Sequence, residues 1–150
     1  MDLVKSNIGT VASDQTTKLK QERVSLLKRV FEDDRLAWLE MQKLRTRKLI
    51  ARAINDKRVA DAHKEASSLR AVGASQDSGE LKGVAARITS ICATNDELAD
   101  AINDLSAQIA NTEKHEQSVR SELARTADAA YAHIRFDVPF RAWLSTQDWT

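Results

Sequence analysis

The sequence predicts an all-α fold: a long antiparallel helical hairpin (coiled coil) followed by an irregular aromatic C-terminal tail. Ala, Leu, Glu, Lys, Arg and Gln dominate the 150 residues, and there are only 4 Gly and 1 Pro, which is the composition of long helices. The concentrated helix-breaking residues, GASQDSG at 73–79, lie near the middle of the chain and predict one turn. A hydrophobic repeat of about 3.5 residues after this turn predicts that the two helices pair.

The domain organisation follows from the positions of the helix-breaking and helix-capping residues. Ser13 or Asp14 is placed to cap the first helix and Ser78 to cap the second, because their side-chain oxygens accept from free amide groups. Two helices of similar length joined by one short turn favour an antiparallel pair. The prediction is a flexible N-terminal segment at 1–13, a hairpin at 14–134 (helix 14–72, turn 73–79, helix 80–134) and an aromatic docking tail at 135–150.

The second helix carries the hydrophobic repeat. Eleven of the fifteen residues at heptad positions a and d are apolar, and a repeat kept over seven heptads is typical of a supercoiled seam. If the turn centres near residue 76, residue i of one helix lies opposite roughly residue 152 − i of the other. Asn95 interrupts the apolar run at an a position, either because it specifies the register or because it contacts solvent near the turn. The a and d residues are Leu81, Val84, Ile88, Ile91, Asn95, Leu98, Ile102, Leu105, Ile109, Thr112, Glu116, Val119, Leu123, Thr126 and Ala130.

The first helix is apolar around much of its circumference between residues 26 and 44. One facing helix cannot cover so wide a surface, so the tail, a second copy or another protein is expected to cover the remainder. Residues 14–72 carry 15 Lys or Arg and 9 Asp or Glu, whereas residues 80–134 carry 5 and 9. This opposite charge bias favours pairing between the two helices and argues against parallel self-pairing of the first.

A basic run, KLRTRKLIARAINDKR at 43–58, is the first candidate binding surface. It contains a single acid, Asp56, and on a helix part of the run forms a basic stripe. Three interpretations remain open: an acidic protein partner, a nucleic acid, or a face that is solvated or salt-bridged within the hairpin. The predicted basic face comprises Lys43, Arg45, Arg47, Lys48, Arg52, Lys57 and Arg58.

The tail is the second candidate, because four of the seven aromatic residues lie in the last sixteen positions. Phe136, Val138 and Phe140 alternate as in an extended backbone, and Phe140, Trp143 and Leu144 then fit one helical face. Exposed rings of this size favour aggregation, so the tail is expected to fold back over the open end of the hairpin or to insert into another subunit. The predicted partner-binding residues are Phe136, Val138, Phe140, Trp143, Leu144, Trp149, Trp38 and Phe31.

The sequence contains no pattern typical of a catalytic or metal site. The predicted register keeps His63, His115 and His133 apart, so they cannot ligate one metal ion. The lone Cys92 has no His within reach, and a two-helix rod offers no concavity for a substrate. We therefore expect no enzyme activity, no metal, no cofactor and no small-molecule substrate.

The composition also bears on where the protein resides. No apolar run reaches the roughly 18 residues that a membrane-spanning helix needs, and the first fifteen residues lack the features of a signal peptide. A single Cys excludes an intrachain disulfide, which agrees with a reducing compartment. We expect a cytoplasmic protein without a membrane span.

These features predict a non-enzymatic coiled-coil adaptor or structural subunit of a larger protein assembly. It would bind protein partners, or a second copy, through the first helix and the aromatic tail. The alternative is a nucleic-acid-associated helical module that uses the basic run at 43–58. In outline the predicted hairpin resembles the small coiled-coil stalk proteins of type III secretion export gates, and helical-hairpin chaperones and assembly subunits. This resemblance is one of shape and carries over no residue.

Overall fold

The computed structural model describes the backbone of residues 2–125 and 134–147, and the side chains of residues 14–125 and 134–147. Three helices occupy these ranges: α1 (Asp2–Ala71), α2 (Gly79–Ala124) and α3 (Asp137–Thr146). The two long helices, α1 and α2, pack against each other in opposite directions, which confirms the predicted hairpin. No helix in the described ranges has the length and apolar character needed to cross a membrane.

α1 begins earlier than the sequence predicted. Its backbone is helical from Asp2, so the boundary at residue 14 is wrong, and so is the expected cap at Ser13 or Asp14. Both residues lie inside the helix. The helix continues through this segment because it contains no Pro, and Gly9 costs only about 1 kcal/mol relative to Ala in a helix.

α1 ends in a Schellman motif, the hydrogen-bonding pattern that commonly terminates a helix. The amide of Ala74 donates to the carbonyl of Leu69 at 3.0 Å, and the amide of Gly73 donates to the carbonyl of Arg70 at 3.1 Å. Gly73 has a φ of 92°, a conformation that Gly adopts without steric cost. The predicted turn therefore starts where a Gly is required by the backbone.

α2 begins at the predicted cap and follows the predicted seam. Ser78 Oγ accepts a hydrogen bond from the amide of Leu81 at 3.3 Å. Every a and d residue from Leu81 to Leu123 is buried or half-buried, and most other α2 residues are exposed. The heptad prediction is confirmed over this length. The last two predicted seam residues, Thr126 and Ala130, lie outside the described residues.

The internal contacts divide the chain into two compact units. We call Met41–Ile109 the turn unit, and Met1–Glu40 with Ala110–Thr150 the tail unit. Small side chains on α1 take part in the packing of the two helices near the turn. The buried core of the turn unit at this point consists of Ala62, Ala66, Leu81 and Val84.

Polar pairs in the turn unit confirm the predicted register. Arg87 Nη2 donates to Glu65 Oε2 at 2.6 Å, and position 87 is the predicted partner of position 65. Asn95 Nδ2 donates to Asp56 Oδ1 at 2.9 Å, one residue from the predicted position 96. Because both helices rise by the same distance per residue, the position of the turn determines which residues of α1 and α2 lie opposite each other.

Pairing in the tail unit departs from this rule farther from the turn. Trp38 Nε1 donates to Glu113 Oε1 at 2.9 Å, one residue from the predicted position 114. Arg23 pairs with Glu122 at 2.9 Å, seven residues from the predicted position 129. The rule assumes that two helices pack only on each other. In this unit Phe136 of the tail also packs against α1, so α2 is no longer its only partner.

The tail is helical where the sequence predicted an extended backbone. α3 begins at Asp137, so the extended interpretation of residues 136–140 is wrong, whereas the helical interpretation of Phe140 and Trp143 is confirmed. Val138 and Phe140 lie about 200° apart on this helix. The alternating spacing suggested an extended strand. Pro139 is also compatible with the first turn of a helix, however, because an N–H at that position has no intrahelical acceptor.

Candidate functional site

An aromatic cluster joins the tail to α1 within the tail unit. The ring centroid of Phe136 lies 5.1 Å from that of Phe31 and 5.9 Å from that of Trp38. Phe140 meets Trp38 edge-on at 5.9 Å and stacks on Trp143 at the same distance. Such ring pairs contribute roughly 0.5–1.5 kcal/mol each beyond the area they bury. The described part of the tail therefore folds back on its own chain, and insertion into another subunit stays a prediction.

The other predicted tail residues differ in how far they are covered. Val138 is exposed, whereas Trp143 and Leu144 are half-buried. Trp149 lies outside the described residues. On α1, by contrast, the predicted partner-binding residues Phe31 and Trp38 are both buried by contacts within the chain. Val138 is therefore the most accessible of the described residues that the sequence predicted to bind a partner.

A buried ion pair lies beside the aromatic cluster. Glu116, at an a position of α2, is only 8% exposed and pairs with Arg120 one turn later. The guanidinium carbon of Arg120 lies 5.5 Å from the ring centroid of Phe31, a cation–π arrangement. Sequence analysis placed Glu116 on the seam but missed Arg120. The available signal was their i,i+4 spacing, which brings a Glu and a following Arg together on a helix.

Two arginines hold Asp137 at the start of α3. Arg135 donates to its two carboxylate oxygens at 3.1 and 2.8 Å, and Arg141 lies 2.9 Å away. Desolvation raises the pKa of Asp137, but hydrogen bonding to Arg135 and the positive charges of Arg135 and Arg141 outweigh it, so the pKa lies below 3.8. The ionised carboxylate also lies at the positive end of the helix dipole. It therefore helps to fix where α3 begins.

The predicted basic face is divided between the hairpin interface and the solvent. Arg45 Nη1 donates to Ser106 Oγ of α2 at 3.2 Å, and its Nη2 donates to Gln42 Oε1 at 2.8 Å. For Arg45, bonding within the hairpin is therefore the interpretation that the structure supports. Sequence analysis missed Gln42 and Ser106 because neither interrupts a recognisable motif. Lys43 and Lys48 are half-buried, and Arg47, Arg52, Lys57 and Arg58 are exposed.

Large apolar side chains remain exposed on α1 although α2 packs along it. Sequence analysis predicted that one helix cannot cover them, and the tail covers only the part around Phe31 and Trp38. α2 exposes no large hydrophobic side chain over its described length. Of the two long helices, α1 therefore carries the uncovered apolar surface. Its exposed members are Leu19, Leu26, Leu36, Leu44, Leu49 and Ile54.

Asn95 is half-buried on the hairpin seam. Its Nδ2 donates to Asp56 Oδ1, whereas its Oδ1 is buried and has no hydrogen-bond partner among the described residues. A buried polar atom without a partner costs stability. An amide that bonds in only one alignment of the helices also disfavours shifted alignments, which is how a single seam Asn specifies register.

Replacing Asn95 with Leu is expected to raise the free energy of unfolding of the turn unit by about 1 kcal/mol. The substitution removes the unpaired oxygen and extends the apolar seam. Urea denaturation followed by far-UV circular dichroism measures the change. Asn103→Leu, at an exposed position of α2, is the matched control and should change little. A loss of stability in Asn95→Leu would show that the amide supports the fold more than it restricts the register.

In the described part of the chain, His63, His115 and Cys92 belong to no group of side chains that could hold a metal ion. His115 Nδ1 lies 2.6 Å from Asp34 Oδ2, and His63 and Cys92 are exposed. His133 lies outside the described residues. In the described ranges, no three or more His, Cys, Asp or Glu side chains are grouped as a metal site requires.

The chain was compared with protein-family models, with curated proteins and with solved structures, and none of the three comparisons finds a match. The candidate surfaces are therefore assigned from contacts, burial and charge alone.

Proposed function

We propose that the chain is a non-enzymatic coiled-coil adaptor or structural subunit of a larger protein assembly, which binds protein partners through α1. The observation that carries the proposal is the exposure of six large apolar side chains on α1, while α2 exposes none over its described length. Exposed apolar surface that gathers on one element is typical of a protein interaction site.

The hairpin acts as a support that presents this surface. Packing of α2 against α1 restrains the backbone of α1 within each unit, so its outer side chains are held in place before a partner arrives. Such preorganisation lowers the entropy lost on binding. The tail adds a second contact through Val138, while Phe136 keeps α3 attached to α1.

A nucleic-acid-associated module is the second candidate, and the exposed bases Arg52, Lys57 and Arg58 favour it. Two features weaken it. Arg45 is engaged with Ser106 within the hairpin. The exposed apolar residues beside the bases have no role in a contact with phosphates, whereas a protein partner accounts for both. Two forms of the adaptor or structural subunit rest on shape alone: a secretion-apparatus stalk and a helical-hairpin chaperone.

Site-specific photo-crosslinking in cells of the source organism tests the proposal. A benzoylphenylalanine at Leu36 or at Ile54 of α1 is expected to give discrete adducts with protein, because both positions are exposed and apolar. The same probe at Asp100, an exposed polar position of α2, is the matched control and should give none. Absence of adducts from both α1 positions would overturn the proposal, and adducts sensitive to nuclease would favour the nucleic-acid module.

A further inference from the structure

The part of α1 that belongs to the tail unit carries a second stripe with coiled-coil spacing. Leu26, Arg29, Asp33 and Leu36 follow one another at intervals of three, four and three residues, so they lie on one face of the helix. Leu26 and Leu36 are 58% and 60% exposed, and Arg29 and Asp33 are exposed as well. We call these four residues the outer seam.

The outer seam lies on the side of α1 that faces away from the aromatic cluster. Phe31, at the middle of the same segment, is 0% exposed and contacts both the tail and Arg120 of α2. The two charged members of the seam each lie two residues from Phe31, or about 200° around the helix. The two Leu members each lie five residues from it, or about 140°. The contacts that bury Phe31 therefore leave the outer seam open to solvent.

The outer seam is complementary to itself. In an antiparallel pair of α1 helices with a two-fold axis at position 31, Leu26 lies opposite Leu36 of the second copy. Arg29 lies opposite Asp33 of the second copy in the same arrangement. A two-fold axis repeats each contact, so the four layers contain two Leu–Leu contacts and two Arg–Asp ion pairs.

The charged members of the outer seam have no partner in the described part of their own chain. The structure records no side-chain hydrogen bond or ion pair between Arg29 or Asp33 and a described residue. Pairing with a second copy therefore competes with no such contact inside the hairpin. A parallel pair would instead place Arg29 against Arg29 and Asp33 against Asp33, and like charges across a seam are unfavourable.

The wider charge distribution of this part of α1 favours the same orientation. Residues 18–29 carry 5 bases and 1 acid, whereas residues 32–40 carry 4 acids and 1 base. An antiparallel pair brings the basic segment of each copy alongside the acidic segment of the other. Complementary potentials of this kind steer two surfaces together and fix their register. The chain itself therefore supplies the helix that fits its outer seam.

The match ends after four layers. The same axis brings Glu22 opposite Glu40 of the second copy, which is unfavourable. The layers from residue 26 to residue 36 extend over about 15 Å of helix. A contact of this length belongs with small, transient interfaces, so we expect a Kd between about 1 µM and 100 µM. Below this concentration range the chain is expected to be monomeric.

We propose that the chain forms an antiparallel dimer through the outer seam of α1. Leu26 of each copy packs on Leu36 of the other, and Arg29 of each copy pairs with Asp33 of the other. Self-association of this kind goes beyond the proposed function, since it requires no other protein.

Exchanging the two charges tests the inference in the full chain. Sedimentation velocity at rising protein concentration measures dimer formation. Arg29→Asp and Asp33→Arg are each expected to weaken the dimer at least about tenfold, because each variant places like charges in both central layers. An equimolar mixture of the two variants should restore dimers, since every charge of one chain then meets an opposite charge of the other. A chain that carries both substitutions should dimerise as the unmodified chain does.

Substitutions of the apolar residues test the register. Leu26→Gln and Leu36→Gln are each expected to weaken the dimer at least about tenfold. Leu19→Gln is the matched control, because Leu19 is 65% exposed on the same helix but lies outside the four layers. It should change the Kd less than about twofold. Circular dichroism confirms that each variant is folded before sedimentation is measured.

Three results would overturn the inference. They are an unmodified chain that is monomeric even at about 500 µM, a mixture of the two charge variants that stays monomeric, and a loss in Leu19→Gln as large as in Leu26→Gln. The adaptor function is tested separately, because mass spectrometry distinguishes a crosslinked second copy from a different protein. Adducts with a different protein from a chain that stays monomeric would reject the dimer and retain the adaptor.

Discussion

Replacing Phe31 with Ala is expected to lower the free energy of unfolding of the tail unit by about 4 kcal/mol, as for other buried Phe residues. Phe31 is 0% exposed. Its ring meets Phe136 of the tail at 5.1 Å and lies under the guanidinium of Arg120 at 5.5 Å. The truncation removes these contacts together and leaves a cavity where α1, α2 and the tail meet.

Tryptophan fluorescence during urea denaturation measures this effect. Trp38 and Trp143 lie in the tail unit and the turn unit contains no Trp, so a change in their emission reports unfolding of the tail unit. Leu36→Ala, on the same helix but 60% exposed, is the matched control and should cost less than about 1 kcal/mol. Similar losses in the two variants would mean that the aromatic cluster does not hold the unit together.

Replacing Arg120 with Leu is expected to cost about 3 kcal/mol in the tail unit. The substitution leaves the carboxylate of Glu116 on the buried seam without its ion-pair partner, and an uncompensated buried charge is strongly destabilising. Glu116→Leu should instead be neutral or stabilising, because it continues the apolar seam at an a position. In the double variant, Glu116→Leu should therefore recover most of the stability lost in Arg120→Leu.

The same fluorescence measurement compares this pair with an exposed one. Arg23 of α1 and Glu122 of α2 form an ion pair in the same unit, but both side chains are largely in contact with solvent. Arg23→Leu should therefore cost less than about 1 kcal/mol, the usual range for surface ion pairs. If Arg120→Leu cost no more than Arg23→Leu, the burial of Glu116 would not determine how much Arg120 contributes to stability.

The aromatic cluster and the exposed apolar surface of α1 have separate roles. The aromatic cluster of Phe31, Trp38 and Phe136 stabilises the tail unit within one chain. The outer residues of α1, such as Leu44 and Ile54, stay exposed. A partner that binds the outer surface of α1 therefore has no need to displace the tail. This separation is why α1, and not the aromatic cluster, carries the main proposed partner contact, with Val138 of the tail as a second contact.

The hairpin itself was predictable from local patterns. Gly73 marks the turn because its backbone conformation favours Gly, and Ser78 marks the start of α2 because its hydroxyl caps the helix. The seam of α2 was predictable because apolar residues repeat on one face only. The start of α1 was not predicted, because a helix continues past possible capping residues where no Pro ends it.

The roles of the α1 side chains were not predictable in the same way. Arg45 and Leu44 are neighbours in sequence, yet Arg45 faces α2 and Leu44 faces solvent. A pattern with apolar and basic residues on several faces does not identify which face the partner helix occupies. The conformation of the tail was missed because the spacing of Phe136, Val138 and Phe140 fits a strand, while the first turn of a helix accommodates Pro139 equally well.

By itself, the sequence determined two long helices, one turn and the face of α2 that is buried, because helix-breaking residues and periodic apolar positions act over a few residues. Only the tertiary structure decided that Phe136 packs on Phe31, that Arg120 lies over the ring of Phe31, and that Leu44 and Ile54 of α1 stay exposed. The physical reason is that each of these depends on which side chains distant segments bring within contact distance, and α1 offers more than one face that satisfies its local pattern.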